Sequence, residues 1–97
     1  MKEELIKKLA EIKKNEGAYG LAELKNWTDE SGFKITTEYV EGGYEGSGED
    51  HFVVLKVEKD QETTYWKTPG YYYSHDGRYL EVENTHQVEP YERMVQD

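Results

Sequence analysis

Four glycines and four carboxylates fall within the ten residues Glu41 to Asp50, EGGYEGSGED, and no stretch of the chain limits the fold more. Such a segment buries almost no apolar area, so it predicts a mobile, negative loop at residues 41–50 between two β-like segments. The chain before it reads as a helix and a first strand. The chain after it reads as a compact run of strands.

Leu5, Ile6, Leu9 and Ile12 recur at helical spacing, while Glu3 with Lys7 and Glu4 with Lys8 form i,i+4 pairs away from that stripe. The spacing predicts one amphipathic helix over residues 2–15. Gly17, after Lys13, Lys14 and Asn15, is its stop signal. Residues 18–27 suit a strand or irregular segment ending at Trp27, although GLAELKNW is also compatible with a short helix. Thr28 to Gly32 is a polar turn. Phe33, Ile35, Thr37 and Tyr39 then alternate with polar residues, which places all four on the buried face of a strand.

Beyond the glycine loop, HFVVLKVEK is the most apolar run of the chain. Val53, Leu55 and Val57 share one face, Phe52 and Val54 the other, so this strand is expected to be central and covered on both sides. Lys59 to Glu62 is a polar turn into a β-prone stretch, Thr63 to Thr68, and Pro69-Gly70 is expected to break the ladder there. Asp76-Gly77 suits a two-residue hairpin turn that sets Tyr73 opposite Leu80 and Tyr71 opposite Val82. A last strand is expected over residues 88–95, started or interrupted by Pro90. Helix and strands segregated along the chain predict an α+β fold in one domain, residues 1–97. The N-terminal helix packs on a strongly twisted, mostly antiparallel sheet of five or six strands, curled toward a barrel.

Composition narrows the chemistry. The chain has no cysteine, which removes disulfides, thiolate metal sites and cysteine nucleophiles and fits a reducing cytoplasm. With 97 residues it can bury roughly 60 to 68% of its unfolded surface in one core. Nine tyrosines, two tryptophans and two phenylalanines supply much of the apolar area. MKEELIKKLAEIKK contains no apolar run long enough for a signal peptide or a membrane span. The net charge is −9, and it is uneven: residues 1–16 hold five lysines and four acids, residues 17–97 seven bases and seventeen acids. An acidic body repels nucleic acid and anionic lipid and favours a protein partner with a basic surface.

The chemical motifs are weak. The glycines lack the Lys-Ser/Thr of a phosphate loop, and the carboxylates lack the alternation of an EF-hand, so neither a cofactor nor a metal is expected. His51, His75 and His86 are too scattered for a zinc signature, and Ser74, His75 and Asp76, being adjacent, cannot form a catalytic relay. Mimicry of DNA would need more charge than the loop carries. Glu38, Glu41, Glu45, Glu49 and Asp50 put five charges in thirteen residues, about one per 9 Å at ~3.3 Å per residue, against one per ~1.7 Å of duplex axis. Glu58, Glu62, Glu81 and Glu83 would have to contribute.

Three stretches resemble small acidic proteins encoded by bacteriophages and prophages: EGGYEGSGEDHF at Glu41 to Phe52, GYYYSHDG at Gly70 to Gly77, and VEPYERMV at Val88 to Val95. The resemblance implies a phage-derived protein acting in the cytoplasm of a bacterial host, and it carries over no catalytic residue. The expected function is therefore non-enzymatic: binding and modulation of a host protein, nucleic-acid-handling proteins included, as an inhibitor or in an anti-defence role. The expected contact residues are Glu41, Tyr44, Glu45, Glu49, Asp50, Trp66 and Tyr72. The alternatives are a small hydrolase or metal-dependent enzyme built on the histidines and carboxylates, and a structural or assembly subunit.

Overall fold

The computed structural model describes residues 1–89. Helix α1 (Lys2–Leu21) is followed by β1 (Trp27–Thr28), β2 (Lys34–Glu41), β3 (Asp50–Lys59), β4 (Glu62–Tyr73), β5 (Gly77–Leu80), a 3-10 turn (Val82–Asn84) and β6 (His86–Val88). All strand pairs are antiparallel, in the order β1-β2-β3-β4-β5, with β6 also paired to β4. The sheet curls into a half-barrel and α1 packs on it, the α+β architecture expected.

Leu5, Leu9 and Ile12 are fully or almost fully buried. Together with Leu21 they dock α1 on the sheet, a gross gain of about 6 to 12 kcal/mol. Gly17 does interrupt the helix, with φ 76° and ψ 176°, but helical backbone resumes beyond it to Leu21. This corrects the strand or irregular reading of residues 18–21. The resumed turn is held by β2: the Thr37 hydroxyl donates to the Leu21 carbonyl (2.9 Å) and accepts from the Leu24 N–H (3.0 Å). The Leu21 carbonyl is one of the backbone groups that a helix end leaves unpaired.

β3 is central, paired to β2 on one side and β4 on the other. Val53, Leu55 and Val57 face the helix side, and Val54, on the outer face, is also buried. A bulge between Thr37 and Tyr39 reverses the alternation of β2, so Tyr39 turns outward toward the Phe52 ring, 6.0 Å away, instead of sharing the inner face of Ile35 and Thr37.

Three further expectations change in β4 and β5. Pro69-Gly70 does not end the ladder; β4 runs through it for twelve residues. The Pro69 carbonyl accepts from the Glu81 N–H (2.8 Å), so the N–H that proline lacks would point to the same side, away from β3. There the partner of β4 changes from β6 (residues 65–67) to β5 (residues 70–73). Gly70 permits the close crossing, since a Cβ would lie 2.0 Å from the Tyr79 carbonyl oxygen. The hairpin loop has three residues, Ser74 to Asp76, closed by Gly77 at φ 79°, and this sets Tyr71 opposite Tyr79 and Tyr72 opposite Arg78. The two-residue turn with positive φ lies instead at Asp60-Gln61. The last described strand is His86–Val88, and the strand expected over residues 88–95 falls almost wholly outside the described residues.

Candidate functional site

β3 rises from the glycine loop at one end of the sheet, and β4 returns to the same end, so residues 42–49 and the hairpin tip at 73–77 are neighbours. The contact is specific. The Tyr72 N–H donates to the Glu49 carbonyl (2.9 Å), and the Arg78 Nη2 donates to the Gly43 carbonyl (3.1 Å). Between loop and hairpin lies an open hollow of about 220 Å³ lined by Glu45, Glu49, Tyr72 and Tyr73. Tyr19, from the resumed turn of α1, lies against this end, its ring 4.5 Å from the Arg78 guanidinium carbon.

Six of the seven expected contact residues therefore lie in or beside one end of the molecule. Tyr44 is 63% exposed; Glu45, Glu49 and Asp50 are exposed; Glu41 and Tyr72 are half-buried. The Glu41 carboxylate accepts a hydrogen bond from the Tyr39 hydroxyl on the outer face. Trp66 is the exception and a correction. It lies in the core at 4% exposure with its indole N–H donating to the Thr64 hydroxyl (2.8 Å), so its ring meets the helix side and not a partner. The exposed rings absent from the expected set are Tyr19, Tyr73 and Tyr79. Tyr79 stacks on Tyr71 with centroids 5.1 Å apart, and Tyr73 tilts against Tyr71 at 5.0 Å.

The charge does not pool as mimicry of DNA would require. Glu58 and Glu62 lie at the opposite end of β3 and β4 from the loop, some 30 Å away at the rise of a strand, about 3.3 Å per residue.

Beneath the loop sits His51, only 2% exposed. Its Nδ1 lies 2.8 Å from the Glu41 carbonyl oxygen. A carbonyl can only accept, so Nδ1 carries the proton and Nε2 of the neutral ring is a bare acceptor. Among the described residues that Nε2 is buried without a hydrogen-bond partner, and so is the Nε of Arg78. Burial holds the His51 pKa below the usual 6.5; the bond to Glu41 opposes this and the charge of Arg78 adds to it. Gly43 closes the arrangement at φ 84°, where a Cβ would lie 2.7 Å from the imidazole Cε1 and 3.0 Å from the Arg78 Nε. His75 is exposed at the hairpin tip and His86 on β6. Among the described residues no group of three or more His, Asp or Glu is placed to hold a metal, and no helix is long and apolar enough to cross a membrane.

The inward position of His51 is readable in the chain, because it shares the odd-numbered face of Val53, Leu55 and Val57. Arg78 likewise shares the face of Leu80, but only with the observed hairpin register does it meet Tyr72 and the loop. Compared with known proteins, the chain matches no family model, no curated protein and no solved structure.

Proposed function

We propose that this is a phage-type protein that binds a host protein with a basic surface and modulates it without making or breaking a bond. The contact residues are Tyr44, Glu45, Glu49, Asp50 and Tyr72, joined by Tyr73. The observation that carries this reading is the convergence of two separate segments, one acidic and one tyrosine-rich, on a single hollow at one end of the sheet. Aromatic rings beside exposed charges supply the two ingredients of a protein contact: desolvated area at low entropic cost, and electrostatic steering.

The test is capture from bacterial lysate at low and high salt, with the intact protein as bait. A specific partner that binds less as salt rises and is lost with Tyr72→Ala supports the reading. A partner indifferent to both overturns it.

A further inference from the structure

We propose that His51 is a proton-operated latch on the acidic loop: neutral, it holds residues 42–49 against Arg78 and the tyrosine hairpin, and protonated, it lets them go. This regulates the binding end described above and rests on that reading for its biological consequence, although the latch itself needs no partner.

The loop is fastened near both of its ends. At the start, the imidazole donates to the Glu41 carbonyl and Arg78 to the Gly43 carbonyl; at the finish, Tyr72 donates to the Glu49 carbonyl. Gly43 packs against both the imidazole and the guanidinium, with no room for a Cβ between them and the loop backbone. The segment between these fastenings includes the exposed Tyr44, Glu45, Gly46 and Gly48. Its own hydrogen bonds are internal, from the Ser47 N–H (3.0 Å) and hydroxyl (2.7 Å) to the Tyr44 carbonyl.

A second proton on His51 would turn Nε2 from an acceptor into a donor, in a place where no described residue offers it an acceptor. It would also set two cations side by side. Among the described residues, the groups around the imidazole offer no compensating negative charge. From β2 it meets the Glu41 carbonyl, the Glu41 carboxylate being engaged with Tyr39 on the outer face. From β3, Asp50 precedes it and is exposed on the opposite face. From β4 the residue opposite is Gly70, with the Tyr72 phenol two residues on. From β5 comes Arg78 itself, and from α1 the Tyr19 ring on Arg78, with Lys13 engaged beyond it by the Leu80 carbonyl and the Tyr79 ring. The least costly response is to expose the imidazole by releasing the loop. The sheet keeps its other fastenings.

Two-dimensional NMR of the intact protein from pH 7.5 to 5 tests this. The His51 ring signals should titrate with a midpoint below 6.5, and the amide signals of Gly43, Gly46, Gly48 and Tyr72 should move with that same midpoint. The exchange of the Tyr72 amide should quicken beyond the change in its intrinsic rate. His51→Asn keeps a donor near the place of Nδ1 but cannot titrate, so it should leave the loop signals docked across the range. If the loop signals stay fixed while His51 titrates, or move in His51→Asn as in the parent, the latch is overturned. Should His51→Asn misfold, the titration of the parent protein still decides. The binding reading is judged separately, by capture at neutral pH: a moving loop without capture sinks that reading alone, and capture with an immobile loop sinks the latch alone.

Discussion

The two ends of the half-barrel solve the same problem, tying loops to a curled sheet, in opposite ways. At the far end, Asp29 in the β1–β2 turn accepts from the N–H groups of Ser31 (3.1 Å) and Phe33 (3.2 Å) and pairs with Lys8 of α1. Lys59 donates to the Ser31 carbonyl (2.9 Å) and lies, like Lys8, over the Phe33 ring. The adjacent connection is a minimal turn, Asp60-Gln61. At the near end an eight-residue loop covers a buried histidine, and two buried nitrogens, His51 Nε2 and Arg78 Nε, have no partner among the described residues. A satisfied network holds one arrangement; a network left short of partners sits closer to an alternative. The far end anchors the fold, and the near end is free to change.

That contrast can be broken first at Gly43. Gly43→Ala puts a Cβ into the imidazole at a positive φ, and should cost about 1 to 3 kcal/mol, limited by the loop's freedom to undock. Urea denaturation gives the loss, and loop amide signals should move while those of the β1–β2 turn stay. Loss without loop movement would place the strain elsewhere.

Asp29→Asn removes the charge paired with Lys8 and should cost about 1 kcal/mol, as an exposed charge-assisted turn does. Burial alone would raise the Asp29 carboxyl pKa, but the hydrogen bonds from Lys8, Ser31 and Phe33 and the Lys8 charge outweigh it and hold the value at about 2. Stability from this group is therefore present above pH 3.8 and is lost as pH falls toward about 2. A variant whose acid unfolding coincides with the parent's would contradict the assignment.

The smallest effect is a sharper one. His51 has a lowered pKa, so the unfolded chain binds its proton first, and stability present above pH 6.5 declines as pH falls through the window below it. The near end should thus weaken in mild acid while the far end holds until stronger acid. Thermal melts at half-unit pH steps, with loop and turn signals followed separately by NMR, would show two windows; one shared window would erase the distinction.

Alternation makes β3 and the first half of β2 legible, because a strand covered on both faces and one covered on a single face leave different patterns in Val53 to Val57 and Phe33 to Thr37. The acidic loop and its neighbour hairpin are legible as separate features. Register effects are not. A bulge moves Tyr39 to the other face, a three-residue loop resets the partners of Tyr71 to Tyr73, and Pro69 sits where its missing N–H faces away from β3. None leaves a local signature, since each depends on which strand lies alongside. Trp66 escapes for the same reason. Its face is inward because it sits opposite Leu55, which its own neighbours in the chain do not reveal.

The central claim is that the near end, and not acidity at large, meets the partner. Two charge-matched variants decide it: Glu45→Gln with Glu49→Gln at the near end, and Glu30→Gln with Glu62→Gln, all exposed, at the far end. Both pairs remove two negative charges, and each is used as bait against the same bacterial lysate at low salt. The near-end pair should lose the captured partner while the far-end pair keeps it. Equal loss from both, or loss from the far-end pair alone, would contradict the account.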